Sequence, residues 1–307
     1  MSLSTAALGL ALALDLAVGE PPESVHPVAW FGRLVGRVDR EWSRPRLVGG
    51  LAALVLPLIA AVAVAVLVWA LATVRPLAGV VLAALVLFVS TTLRLLLSVG
   101  RDVAAATETD LDVARERLLA LAGRDASTLS AGQVRSAVVE SLAENLADGL
   151  VASLSAFVVG ALVGGTVSPA VALALAAAGA AWVKAVNTMD SMLGYRSKPV
   201  GYAPATLDDV VMWVPARLAA VALALAMGAP GALGRARTWL ADVPSPNSGW
   251  PMGVAAAALD VRLEKPGVYV LNPGGALPSR ADADRSVRGV AIAGLLSYLV
   301  GGVLTWL

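Results

Sequence analysis

The stretch GGLAALVLPLIAAVAVAVLVWALAT, residues 49–73, carries no charged side chain and is apolar on every side of a helix. A helix rises 1.5 Å per residue, so roughly 20 such residues cross about 30 Å of hydrocarbon. A helix with no polar face suits a lipid environment better than water. Arg75-Pro76 turns the chain, and residues 77–97 form a second apolar run, so the two read as a membrane hairpin. Gly289–Leu307 reads as a further span. Leu150–Val186 is too long for one upright helix, and Gly164-Gly165 with Ser168-Pro169 divide it into two short spans. Leu218–Met227, behind Pro215 and Arg217, covers only about half a membrane and reads as re-entrant or interfacial. The expected fold is all-α: a polytopic integral membrane helical protein with about five spans, re-entrant or interfacial helices and a small cytoplasmic helical segment.

Composition agrees. The chain has 307 residues, 58% hydrophobic and 15% charged, against about 45–50% and about 25% for a soluble domain. A net charge of +1 gives no global field for nucleic acid. There are no cysteines and one histidine, His26, which excludes thiolate and multi-histidine metal sites and leaves hard oxygen ligands suited to Mg²⁺. The opening segment MSLSTAALGLALALDLAVGE has no basic start and carries Asp15, so it reads as a membrane or interfacial helix rather than a cleaved signal.

Basic residues gather in 19–48, in 99–148, after Lys184 and across 235–288. With 150–186 a hairpin and 210–228 not crossing, all of these face the cytoplasm, as the positive-inside rule favours. The expected organisation is a single membrane-embedded catalytic domain over 1–307. It carries a soluble helical insertion at about 99–148 and polar site loops at about 187–209 and 242–286. In the insertion, 111–123 forms an amphipathic helix ended by Gly123, and a second helix starts at Ser130.

The candidate chemistry lies at the ends of apolar runs. Glu140, Glu144 and Asp148 share a helix face at i, i+4, i+8, and no Lys or Arg occurs between Arg135 and Lys184 to relieve them. A carboxylate row entering an apolar segment suits a divalent ion; a solvated face is the plainer explanation. NTMDSMLGYR (187–196) brings Asn187, Asp190, Ser191, Tyr195 and Arg196, with Lys198 just beyond. An interfacial belt explains Tyr and Lys but not Asp190. In TLDDVVMWVPARL, Thr206 reads as the cap of a helix beginning near Leu207, with Asp208 and Asp209 in its first turn. Arg217, between apolar stretches, is suited to an Asp or a phosphate. SPNSGWP (245–251) presents Asn247 and Ser248 from a rigid turn, and Lys265 follows in LEKPG. Glu20, Glu23 and His26 occupy a Pro-rich loop before a basic amphipathic helix. No GxxxxGK[ST] and no GxSxG is present.

Taken in order, GEPP…HPVAWFGRLV, VVESLAENLADGLVA, VNTMDSMLGYR, LDDVVMWVPARL and SPNSGWPMGVAAAALDVRLEKPGVYVLN resemble the CobD/CbiB family of cobalamin biosynthesis, from about Asp15 to Asn272. Two departures are Ser153, where the family pattern has Pro, and Met212, where it has Asn. The resemblance implies adenosylcobinamide-phosphate synthase, a cell-membrane enzyme. It would join a carboxylate of adenosylcobyric acid to (R)-1-amino-2-propanol O-2-phosphate or a related amino-alcohol phosphate, using ATP and Mg²⁺. On that reading Glu140, Glu144, Asp190 and Asp209 are the catalytic candidates. Glu144, Asp148, Asp190, Asp208 and Asp209 are the metal candidates. His26, Arg124, Asn145, Asn187, Ser191, Arg196, Lys198, Arg217, Asn247, Ser248 and Lys265 would hold substrate or phosphate. Implied partners are the corrinoid substrate, the lipid bilayer and other late membrane enzymes of the pathway. A corrinoid transporter or scaffold and a Mg²⁺-dependent membrane phosphotransferase are the competing readings. Inverted repeats with midplane polar groups would favour transport, and none is visible.

Overall fold

The computed structural model describes residues 2–307 apart from Arg124 and Arg196. In chain order its helices are α1 (Leu3–Ala17), α2 (Pro27–Val35), α3 (Pro45–Val74), α4 (Pro76–Ser90), α5 (Leu93–Thr109), α6 (Leu111–Leu118) and α7 (Ala131–Leu146). A π-helical turn, Ala147–Val151, leads into α8 (Ala152–Gly165) and α9 (Pro169–Leu193). Then follow α10 (Tyr202–Val211), α11 (Trp213–Ala226), α12 (Ala232–Ala236), α13 (Gly249–Leu259), strands β1 (Leu263–Lys265) and β2 (Tyr269–Leu271), and α14 (Arg280–Trp306). About three quarters of the chain is helical.

Among the described residues, five helical runs are long and apolar enough to cross a membrane: 45–74, 76–109, 131–165, 169–193 and 280–306. The segment 199–226 counts as a sixth only if α10 and α11 are taken as one bent span. On α3, Leu54, Val55, Leu58, Ile59, Val62 and Val66 all stand exposed. Such a face is stable only against hydrocarbon. The break expected inside Leu150–Val186 falls between Gly165 and Pro169, where Ser168 caps α9 by accepting from the Val171 amide. Within the expected insertion, α7 runs through the π turn into α8, so the acidic helix belongs to a continuous helical run.

The chain gathers into two compact units. The first comprises residues 1–92, 152–212 and 298–307. Here α9 packs on α3, α4 and α8, and α10 lies against α3 and α9. Gly160 and Gly164, spaced as G-x-x-x-G, let α8 approach α9 closely. A Cβ at Gly160 would meet the backbone at Leu175, and one at Gly164 that at Ala172. Val35, Ala53, Met189, Leu193 and Val200 form a core that fixes the C-terminal end of α9.

The second unit comprises residues 93–151 and 213–297. In it α7 packs on α5, α6, α11, α13 and β1. The strands form an antiparallel hairpin pairing Glu264 with Val270. Its turn is Lys265-Pro266-Gly267-Val268, closed by the Val268 amide on the Lys265 carbonyl at 2.9 Å. Gly267 sits at φ +72°, the left-handed conformation that follows Pro in a type II turn. The fold is all-α as expected, and the hairpin is a small addition whose three-residue strands are too short to show a period.

Candidate functional site

In the first unit the polar residues gather on α9 and on the elements that pack against it. His26 caps α2: its Nδ1 accepts from the Val28 amide at 3.2 Å, and its Nε2 lies 4.0 Å from Glu20 Oε2. Burial lowers the His26 pKa, and the positive charge of Lys184 lowers it further. Burial raises that of Glu20, opposed by the same lysine. Glu20, His26 and Lys184 are thus one electrostatic group, joining the GEPPESVHP loop to α9. Lys184 was absent from the sequence-derived candidates, since one lysine in an apolar run reads as a topology signal.

One to two helical turns beyond lie Asn187, Asp190 and Ser191. Ser191 is exposed, and its hydroxyl donates to the Asn187 carbonyl at 2.9 Å. Asp190 is half-buried, near enough to Asp209 of α10 for their charges to interact. Two carboxylates brought close repel each other, which favours either protonation of one or a cation between them. Asp208, beside Asp209, is buried.

The expected capping role of Thr206 is not what forms. A 3₁₀ turn, Pro199–Gly201, delivers the chain into α10 at Tyr202, and the Thr206 hydroxyl instead donates to the Tyr202 carbonyl. Asp208 and Asp209 therefore stand in the last turn of α10, not its first. There the helix dipole opposes negative charge, which removes the plainer explanation for the pair. Lys198, a phosphate candidate, forms a 2.6 Å ion pair with Asp39 and donates to the Met192 carbonyl at 3.1 Å. It ties the loop after α9 to the chain following α2. Met212 is buried.

In the second unit Glu140 is fully buried. Its Oε1 accepts from Ser136 at 2.7 Å and its Oε2 from the Tyr269 phenol at 2.7 Å. Ser136 Oγ in turn accepts from the Glu264 amide at 2.8 Å, and Gln133 donates to the Glu264 carboxylate at 3.0 Å. The geometry of Glu140 is that of an anchor holding the β1–β2 hairpin on α7. Glu144, Asn145 and Asp148 are half-buried, and the Asn145 amide donates to the Ser141 carbonyl at 2.9 Å. The π turn inserts at Ala147, so Asp148 departs from the i, i+4 alignment expected for the acidic row.

Arg217 lies over Trp213 at 4.2 Å and Trp250 at 5.4 Å. Its Nη1 donates to the Trp213 carbonyl at 2.7 Å and to Asn247 Oδ1 at 3.0 Å. These groups make Arg217 a staple between α11 and the SPNSGWP turn. Asn247 is buried, its amide and that of Ser248 aimed at Ser245 Oγ, and Ser248 leads into α13. Lys265 ends β1 beside the hairpin turn. Arg124 and Arg196 lie outside the described residues.

Among the described residues no three His, Asp or Glu side chains converge as a metal cage. Mg²⁺ commonly takes one or two carboxylates and completes its shell with water and phosphate oxygens. The Asp190–Asp209 pair is a donor set of that kind.

A family model described as CobD/Cbib protein matches residues 8–296. The chain is 34% identical to "Probable cobalamin biosynthesis protein CobD" of Methanothrix thermoacetophila, over 95% of each chain. A protein of the same description from Methanothermobacter thermautotrophicus is 34% identical over 85% of this chain and 84% of its own. "Cobalamin biosynthesis protein CobD" of Pelobacter propionicus is 33% identical over 97% and 91%. No solved structure matches the chain.

Proposed function

The chain belongs to the CobD/CbiB family, and on that premise we propose that it acts in cobalamin biosynthesis as adenosylcobinamide-phosphate synthase. The carrying observation is the extent of the family match, which takes in every polar segment from the GEPPESVHP loop to the hairpin. The reaction condenses the carboxylate of adenosylcobyric acid with the amine of an amino-alcohol phosphate. Carboxylates resist amines in water, so ATP first converts the acid to an acyl phosphate, releasing ADP. The amine then forms the C–N bond, the C–O bond to phosphate breaks, and the nitrogen gives up its proton.

What this chain supplies is position and charge. Asp190 and Asp209 would hold Mg²⁺, which, when bound, neutralises phosphate charge during transfer. Asn187 and Ser191 offer neutral hydrogen-bonding groups to substrate beside that pair. The basic segments support a cell-membrane protein with its site loops on the cytoplasmic side.

The test is purified protein in detergent with adenosylcobyric acid, aminopropanol phosphate, ATP and Mg²⁺, with products read by mass spectrometry. An amide product with ADP release is expected, and Asp190→Asn should abolish it while the protein still reaches the membrane. A phosphodiester product would replace this reading by phosphotransfer.

A further inference from the structure

Within the first unit, the GEPPESVHP loop, α2, α3, α4 and α9 enclose a cavity of about 470 Å³. That is within the range of ligand sites, about 300–1,000 Å³. Its walls are apolar, among them Val25, Phe31, Val64, Leu85 and Val89. Among the described residues, polar side chains enter the lining only at Ser90, Lys184 and Thr188. Both hydroxyls already donate to backbone: Ser90 to the Val86 carbonyl and Thr188 to the Lys184 carbonyl, each at 2.7 Å. A small polar ligand entering here would leave water's hydrogen bonds without replacing them. A hydrocarbon chain loses nothing.

Three observations say where such a chain comes from. Leu77, Val81 and Leu85 are exposed on one face of α4, and Leu85 also lines the cavity. The cavity wall is thus continuous with an outward apolar stripe on a membrane-spanning helix. Lys184 stands roughly 22 Å along α9 from Pro169, a depth at which a lysine in a span marks a ligand or ion path. Pro21, Val25 and Pro27 of the lining are chain neighbours of Glu20 and His26, and the Glu20 carboxylate lies in the field of the lining Lys184, so an anion stands close to the cavity's one cation. An apolar slot with one cation and one anion at its edge matches a zwitterionic lipid whose phosphate and ammonium are a few ångströms apart.

We propose that this cavity holds an acyl chain of phosphatidylethanolamine, with the lipid phosphate on Lys184 and its ammonium on Glu20. The lipid would brace the GEPPESVHP loop against α9 and α4. The inference does not depend on the synthase reading.

The test reconstitutes the full chain in vesicles of phosphatidylethanolamine and phosphatidylglycerol in equal parts, re-extracts it in mild detergent, and quantifies retained lipid by native mass spectrometry. Wild type should retain phosphatidylethanolamine about tenfold over phosphatidylglycerol, a 1.4 kcal/mol preference. Glu20→Gln should erase that preference. Lys184→Met and the cavity-filling Val64→Trp should each lose the retained lipid about tenfold. Val64→Trp leaves every charge in place and gives the answer should Lys184→Met not fold. Equal retention of the two lipids by wild type, or unchanged retention by Val64→Trp, overturns the proposal. So does displacement of the lipid by millimolar free phosphoethanolamine, which would assign the site to a soluble amino-alcohol phosphate.

Discussion

Replacing Tyr269, the first residue of β2, by Phe removes one oxygen and leaves the ring. The lost group donates to the buried Glu140 carboxyl at 2.7 Å. Hydrogen bonds to charged groups contribute about 1.5–3 kcal/mol, and each 1.4 kcal/mol is tenfold in an equilibrium constant. If Glu140 anchors the hairpin, Tyr269→Phe should favour local opening of 263–271 roughly 10- to 100-fold. Hydrogen exchange followed by mass spectrometry in detergent reads this directly, because local opening has its own free energy below that of global unfolding. The Glu264 amide is the reporter, since it donates to Ser136, the other partner of Glu140. Peptides from α3 serve as the control. Ser136→Ala removes both of these contacts and should accelerate the same amides at least as much. Hairpin exchange that changes less than about twofold in Tyr269→Phe, roughly 0.4 kcal/mol, would refute the anchoring role. Loss of product formation with unchanged exchange would return Glu140 to direct work on substrate.

Other perturbations separate the remaining roles. His26 has a folded pKa below its ordinary 6.5, so its contribution to stability is whole above that value and declines as pH falls through it. His26→Asn keeps a helix cap and should flatten the loss of thermal stability between pH 7.5 and 5.5 measured in detergent. Glu20 has the opposite sign: its folded pKa is raised, so its contribution is whole below the ordinary 4.5 and lost as pH rises through the folded value. Glu20→Gln should therefore be tolerated near neutrality in the same melting assay. Gly160→Val drives a side chain into the Leu175 backbone, and at about 1–3 kcal/mol for overpacking should cut the yield of folded protein on gel filtration. Arg217→Lys keeps the charge but loses the planar face stacked on Trp213 and the fork reaching Asn247. It should loosen the SPNSGWP turn to proteolysis nearly as much as Arg217→Ala.

Much of this molecule could be read from one dimension. A run such as 49–73 has no face to offer water, so composition alone dictates a membrane helix, and Pro and Gly mark where such helices stop. The polar segments were visible for the same reason: charge at the end of an apolar run is costly and stands out. What a linear reading could not settle was the partner of each charge. Thr206 and Asp209 lie three residues apart in either reading, but only the docking of the 199–201 turn beneath α3 and α9 decides that α10 begins at Tyr202. That moves both aspartates from a favourable helix end to an unfavourable one. Glu140 looked like the head of an acidic row until a hairpin more than a hundred residues later closed over it. Lys184 looked like a topology marker until the GEPPESVHP loop placed a carboxylate and an imidazole in its field. Hydrophobic burial is a property of each segment and survives in the sequence. Electrostatic partnership is a property of distance, which exists only once the chain has folded.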